Sequence, residues 1–437
     1  MLDALLAMGF LLLLLWGMRQ VTFFRDDHFG NVLPWVFLLK ALSGTALWYV
    51  YTYLYTDRAT ADLYKYFDDS AVMFSALPER PMDYLRMLLG IGNDTQYFTD
   101  TYYVHMNNWF REYEGNLYND SHTMIRFNAL VRLISFGSLH VHTVFACALS
   151  LIGLTALYKA IAPQMPGKEY GVGAALFFIP SVLFWGSGVI KESLLFFALG
   201  SLVMQVFRWM RNGPDLRGAL IVLLCTTLLF FLKFYVLVSM IPGLLALYWC
   251  RRSRGRVFPR FAGVLALFAL IALNVQYIIP GFNVLEVLYW KHRDFIGLAQ
   301  SMDSGSFLDP VSLRPDIWSF VKAAPHALYI TLFGPIHTAT DGLLGAMAGM
   351  ETIALLALVV LILRRRRSLA EVDLALVLYC LSFVLLLSLM IGYTTPVMGA
   401  VVRYRTPLLP FVVIAVLAFS DVQSSTVRPF NFNRSGT

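Results

Sequence analysis

The chain is poor in the features that mark soluble enzymes. Only 14% of its 437 residues are charged, against roughly a quarter in an average soluble domain. A solvated globular surface therefore cannot be built along most of its length. It has four cysteines, Cys147, Cys225, Cys250 and Cys380. All fall in or at the ends of apolar runs with no disulfide or zinc spacing, so they read as small buried hydrophobes. Walker A, GxSxG and HExxH patterns are absent, which removes the sequence grounds for a P-loop nucleotidase, an α/β-hydrolase or a zincin. There is no solenoid-period repeat and no low-complexity tract. The apolar run from Leu5 to Trp16 has no basic residues before it and no small-residue cleavage site after it. It reads as a retained first span, not a signal peptide.

What the chain has in quantity is apolar sequence, 58% of it. The runs predict an all-α polytopic membrane protein with about eleven transmembrane helices. They fall at 2–18, 33–55, 139–158, 170–185, 189–207, 218–232, 234–250, 261–279, 343–363, 372–392 and 406–421. Residues 1–421 then form one membrane domain, and 422–437 a tail. Several runs are short for a hydrocarbon core of roughly 30 Å, so broken or tilted helices are expected.

The basic clusters orient these spans. Arg19/Arg25, Lys159/Lys168, Arg208/Arg211/Arg217, Arg251 to Arg260, Arg364 to Arg367 and Arg428/Arg434 all fall on one side of an alternating path. That side is the cytoplasm, which puts the N-terminus outside and the C-terminus inside. The net charge of +7 comes largely from these short loops, so no nucleic-acid partner is expected; membrane lipids are.

Two long loops lie outside. The first, about 56–125, has eleven acidic against five basic residues. Its stretches Tyr84 to Leu89 and Trp109 to Tyr113 suit amphipathic helices along the membrane surface. The second is about 280–342, of which 326–340 has the character of either a plain loop or a re-entrant piece.

Against this background a few charges stand out. The segment Pro180-Ser-Val-Leu-Phe-Trp185-Gly-Ser-Gly-Val-Ile-Lys191-Glu192 turns at the outer face, with Pro180 bending the span before it. Gly186, Ser187 and Gly188 would let backbone approach a ligand closely. Lys191 falls in the first turn of the next helix, where free N–H groups and the dipole favour an anion. Lys233 interrupts an apolar run at another outer turn, and Arg403 and Arg405 flank Tyr404 before the last span. Outer basic residues run against the positive-inside trend, and an anionic ligand supplies the reason.

The acidic counterpart is Asp62-Leu-Tyr-Lys-Tyr66-Phe-Asp68-Asp69. On a helix Asp62 and Asp69 lie about 20° apart in projection, with Tyr66 between them and Asp68 turned away. Either could act as general base on a sugar hydroxyl. Adjacent Asp68 and Asp69 do not by themselves make a cation site, so neither a metal nor another cofactor is implied. Glu351, within an apolar run, is expected to pair with one of the cations. His140 and His142 would diverge by about 200° on a helix, and the remaining histidines match no metal motif.

These motifs resemble those of bacterial polytopic glycosyltransferases of the GT-C type and of membrane polysaccharide polymerases. The resemblance rests on early aspartates after a span, the Pro-Ser-x-x-Phe-Trp-Gly-Ser-Gly-x-x-Lys-Glu turn, and the closing Arg403-Tyr-Arg-x-Pro-x-x-Pro410. It implies transfer of a sugar from a polyprenyl-phosphate-linked donor to a glycan or lipid-linked acceptor at the outer face of a bacterial inner membrane, in surface polysaccharide or glycoconjugate assembly. Asp62 and Asp69 match the catalytic acid of the first outer loop. Lys191, Lys233, Arg403 and Arg405 would bind the donor phosphate, with Tyr66, Asp68, Trp185, Gly186, Ser187, Gly188 and Glu192 around the substrate. The alternatives are a repeat-unit polymerase and a non-enzymatic flippase of lipid-linked oligosaccharide.

Overall fold

The computed structural model describes residues 2–26, 28–54, 57–59, 61–110, 118–301, 305–308, 311–338, 342–364 and 371–421. Among them every extended element is helical. In chain order these are α1 (Leu2–Gln20), α2 (Leu33–Tyr49), α3 (Asp62–Ser75), α4 (Pro81–Leu89), α5 (Gln96–Thr101) and α6 (Ser121–Ser135). Then come α7 (Leu139–Ile161), α8 (Glu169–Phe177), α9 (Pro180–Trp185), α10 (Lys191–Asn212), α11 (Leu216–Arg252) and α12 (Val257–Asn274). The last six are α13 (Val284–Ser301), α14 (Ile317–Leu332), α15 (Gly342–Arg364), α16 (Leu374–Thr394), α17 (Met398–Tyr404) and α18 (Leu409–Ala418). Nine helical segments among the described residues are long and apolar enough to cross a bilayer.

The eleven apolar runs map onto these nine segments for two local reasons. Residues 170–185 are not one bent span but two short helices. Ile179, immediately before Pro180, is extended at φ −63°, ψ 123°, because a residue preceding proline is pushed out of the α region. The runs 218–232 and 234–250 lie in the single helix α11, which is broken at Lys233 (φ −154°, ψ 81°). A straight helix of 37 residues would be about 55 Å long, yet both ends of α11 reach one residue. Trp209 donates to Asp215 at its start, and Arg252 at its end donates to the Trp209 carbonyl. The two limbs therefore fold back on each other, with Lys233 at the apex.

α7 and α10 cross at the centre of the bundle. A Cβ on Gly153 would sit 2.0 Å from the Phe196 carbonyl oxygen, and one on Gly200 would sit 1.8 Å from that of Gly153. Small residues at a crossing let helix backbones touch, which is how helices in lipid gain van der Waals contact. One end of the bundle is tied by the basic clusters. Lys159 donates to the Arg25 carbonyl, Lys168 to those of Leu417 and Ala418, and Arg251 pairs with Asp373. Arg365 to Arg367, Arg428, Arg434 and the 422–437 tail lie outside the described residues.

At the opposite end, α3 to α6 form a layer with its own core of Tyr66, Tyr84, Met87, Phe98, Tyr103, Trp109 and Met124. The Trp109 ring stacks between Tyr103 at 4.0 Å and His122 at 3.8 Å. The 84–89 stretch is amphipathic as expected but packs on α6 through Tyr84 and Met87, leaving Leu85 and Leu89 exposed. Of the 109–113 stretch, only Trp109 and Phe110 are described.

Within the second long loop, α14 packs along α16. Tyr393 on α16 donates to the Phe320 carbonyl, and Thr331 donates to that of Ser388. As α14 advances, α16 is met at earlier positions, so α14 runs antiparallel to it. Thr331 thus lies level with a point about 9 Å before the C-terminal end of α16. A short 3-10 turn, Gly334–Thr338, follows before α15 begins.

Candidate functional site

Six charged residues from five parts of the chain meet where the α3–α6 layer sits on the long apolar helices. α10 supplies Lys191 and Glu192 from its first turn, α11 supplies Lys233 from its broken apex, and α17 supplies Arg403. α3 contributes Asp62 as its first residue, and Asp120 precedes α6. Lys233 Nζ donates to Glu192 Oε1 at 2.7 Å. Arg403 Nε lies 2.9 Å from the same oxygen, while its Nη1 donates to Asp62 Oδ2 at 2.6 Å. Lys191 Nζ pairs with Asp120 Oδ2 at 2.8 Å.

The cluster is graded in depth. The Glu192 side chain is fully buried, whereas that of Asp62 is 34% exposed. Burial alone would raise the Asp62 carboxyl, but Arg403 and Lys191 outweigh it and hold the group below its ordinary value, so it is ionised. Aromatic rings wall the cluster. Lys233 Nζ is 4.0 Å from the Tyr404 ring centroid, Lys191 Nζ is 5.4 Å from that of Tyr66, and the Arg403 guanidinium is 5.9 Å from Trp185. Three cations face three carboxylates, so the site is neutral and every cation is already paired. A cation held in low dielectric needs such a partner, since the desolvation cost of an isolated one is several kcal/mol.

Asp62, Tyr66, Trp185, Lys191, Glu192, Lys233 and Arg403 are thus brought together. Arg405 is not. Two residues along a helix turn about 200°, so its side chain leaves on the far side. There Nη2 donates to Thr352 Oγ1 at 2.6 Å, Nη1 donates to the Leu332 carbonyl, and Glu351 lies 3.8 Å away. Glu351 also accepts from the Ser181 backbone and hydroxyl. This node fastens α14, α15 and α9 to the last span and corrects the expectation of an outer phosphate contact for Arg405.

The glycine turn is also closed. Lys40, buried within α2, donates to the Gly186 carbonyl at 2.8 Å. The Cys147 thiol donates to that of Ser187 at 3.2 Å, and Ser193 to that of Gly188 at 2.7 Å. A Cβ on Gly188 would sit 2.3 Å from Leu47, and one on Gly44 of α2 would sit 2.0 Å from the Ser187 carbonyl. Gly186, Ser187 and Gly188 are therefore buried packing residues that seat α2 on the turn, not an open cradle for a ligand.

Asp68 and Asp69 also stand outside the cluster. Asp68 takes a two-pronged pair from Arg58 at 2.7 and 2.8 Å. Asp69 accepts the backbone N–H groups of Asn107 and Asn108 at 2.7 and 2.8 Å. Burial nonetheless pushes its carboxyl up to about 6, against the downward pull of those two bonds. Asp62 and Asp69 do share a helix face, but seven residues of axial rise separate them by about 10 Å. His142 ties α6 to α7 through Asn128 and Ser135.

Sequence reasoning missed three members of this region. Asp120 gave no signal, since pairing it with Lys191 depends on the outer layer folding back. Tyr235 lies 6.4 Å from Tyr404 and looked like any apolar-run aromatic. Lys40 was visible as a lone charge inside an apolar run. No family model matches this chain, and neither curated proteins nor solved structures include a match.

Proposed function

We propose that the protein is a membrane glycosyltransferase that moves a sugar from a polyprenyl-phosphate-linked donor to an acceptor at the outer face of a bacterial inner membrane. The basic end of the bundle would face the cytoplasm. The two limbs of α11 and the broken α8–α9 pair would complete about eleven crossings. The observation that carries the reading is Arg403 joined at once to a buried carboxylate, Glu192, and a solvent-reachable one, Asp62.

In this reading Glu192 anchors Lys233 and Arg403, so both cations are held rigidly at the membrane surface. The donor phosphate takes over the contacts that Arg403 and Lys191 now make with Asp62 and Asp120. Asp62, freed from Arg403, accepts the proton of the acceptor hydroxyl. The hydroxyl oxygen bonds to the anomeric carbon as the carbon–oxygen bond to phosphate breaks. Polyprenyl phosphate leaves with the bonding electron pair, and Arg403 and Lys191 offset its charge. Once Asp62 passes the proton to water, its carboxylate pairs with Arg403 again and helps expel the product phosphate.

The reading is tested by scoring surface glycan in cells that depend on the protein, with Asp62→Asn, Lys191→Met or Arg403→Met replacing the native residue. Loss of glycan with normal protein level is the expected result. Full glycan with Asp62→Asn removes the proposed base and the reading with it.

A further inference from the structure

The layer of α3 to α6 carries a large apolar side chain that its own core does not use. Phe136, the residue after α6, is 87% exposed, more than any other large hydrophobic side chain among the described residues. Its backbone is left-handed at φ 50°, a conformation uncommon for a bulky residue. With Gly137 (φ 77°) it closes α6 and turns the chain into α7. Leu130, Leu133 and Ile134 recur at three- and four-residue spacing, so they share one face of α6, and each is about half exposed. Tyr84 of α4 donates to the Ala129 carbonyl, and Arg126 of α6 to that of Met87. α4 is therefore antiparallel to α6, and its first half, with Met82 and Leu85 exposed, lies beside the end of α6.

The placement of α6 decides what covers this ridge. Near its start, Thr123 donates at 3.4 Å to the carbonyl of Phe231, two residues before the Lys233 apex of α11. Towards its end, Asn128 and Ser135 both bond His142 in the first turn of α7, at 2.7 and 2.8 Å. Cys147, further along α7, reaches the turn before α10, so α7 starts at the end of the bundle that holds Lys191 and Lys233. α6 therefore lies across that end, along the plane of the membrane. Four residues on from Phe136, His140 meets the Trp48 ring at 4.9 Å and lies 3.9 Å from Asp3. This contact brings the ends of two further candidate spans, α1 and α2, to the same level. There the Tyr49 and Tyr53 rings lie 4.8 Å apart, both more than half exposed. Outward aromatic rings at the ends of spanning helices mark the boundary between membrane and water, and Phe136 continues that belt.

We infer that Phe136 and the exposed face of α6 insert into the lipid leaflet at this end of the bundle, which makes α6 an in-plane membrane anchor. One face of the helix packs on protein. The other is apolar and continuous with the aromatic belt, so it is held at the boundary between headgroups and acyl chains. The anchor bears on the charge cluster, because Asp120, which pairs with Lys191, immediately precedes α6. Lipid thus sets the height of the helix whose start completes the cluster. This mooring goes beyond the transferase reading and stands without it.

The experiment is spin-label accessibility of the full chain in nanodiscs of phosphatidylethanolamine and phosphatidylglycerol, with the signal of the native protein subtracted. A nitroxide is attached singly at Leu133→Cys and at Phe136→Cys, both exposed positions. Leu13→Cys, on the exposed side of α1, is the lipid reference, and Thr95→Cys, exposed before α5, is the aqueous one. Oxygen concentrates in hydrocarbon, whereas a nickel chelate stays in water. Labels at Leu133→Cys and Phe136→Cys should collide more with oxygen than with the chelate, as at Leu13→Cys, and the order should invert at Thr95→Cys. Collisions dominated by the chelate at either ridge site place the ridge in water. Protection from both reagents means that protein, such as a second copy of the chain, covers it. Either result overturns the inference.

Discussion

Arg403 donates to Asp62 across 341 positions of sequence at 2.6 Å, joining the end of the bundle's last span to the first helix of the outer layer. The same guanidinium holds Glu192, a buried carboxylate at the start of α10. The site therefore exists only when three distant parts of the chain have docked. Its most exposed member, Asp62, is the one whose pairing a substrate could exchange.

If Asp62 is the base, Asp62→Asn keeps the side-chain volume and an acceptor for Arg403 but cannot take a proton. Transfer of sugar by purified protein should fall by roughly 100-fold or more, the usual contribution of a positioned base. Thermal stability should change little because the group is partly exposed. The carboxyl is held below its ordinary value, chiefly by Arg403 and Lys191 acting against burial. In kcat/KM, which reports the free enzyme, activity should therefore not decline through this group until the pH drops below the ordinary carboxylate range near 4. A limb of the pH–rate profile centred near 6 would assign the base elsewhere.

Asp69 shares the face of Asp62 but has a different task, because it fastens Asn107 and Asn108 to α3. Its folded value of about 6 lies above the unfolded value near 3.9. The folded state thus holds the proton more tightly. This contribution to stability is complete below about pH 4 and is lost as pH rises through about 6. Measured against Asp69→Asn, which stays neutral, the native protein should lose melting temperature between about pH 4 and pH 6. Sugar transfer should persist in the Asn variant. A constant difference across that range removes the assignment.

How much of this was legible depended on whether one residue or a pairing carried the signal. Lys191, Lys233 and Arg403 were legible singly, since a charge beside apolar sequence demands compensation wherever the chain goes. Their partners were not, because Asp120 meets Lys191 only after the outer layer folds over the bundle. Arg405 was grouped with Arg403 by proximity in sequence, although helical twist separates them. The Asp62–Asp69 pairing used angular projection and left out axial rise. The glycines of the turn were read as room for a ligand, whereas Leu47 and the backbone beside Gly44 occupy that room.

Arg405 and Glu351 form a buried pair supported by Thr352, Ser181 and the Leu332 carbonyl. Removing one partner leaves a charge without compensation, so Arg405→Met should destabilise by about 3–5 kcal/mol. Adding Glu351→Gln should recover part of that loss, because the orphaned carboxylate is then neutral. Melting in detergent, followed by size-exclusion fluorescence, gives the ranking: native highest, double variant intermediate, Arg405→Met lowest. A double variant no better than Arg405→Met would show that the carbonyl and hydroxyl contacts, not the charge pair, hold the node.

The fold-back of α11 makes a prediction about the membrane itself. Trp209 touches both ends of that helix, so Pro214 and Ser253 should lie on one side of the bilayer although a 37-residue helix separates them. Thr95, in the outer layer, should lie on the other. The native cysteines are buried or half-buried, which leaves a single introduced thiol as the main target of a membrane-impermeant maleimide. Pro214→Cys and Ser253→Cys should stay unlabelled in intact spheroplasts and react after the membrane is opened, whereas Thr95→Cys should react at once. Labelling of Pro214→Cys but not Ser253→Cys in intact spheroplasts would mean that α11 crosses once. The break at Lys233 would then be a kink within the bilayer, and Lys233 could not stand at the surface with Arg403 and Asp62.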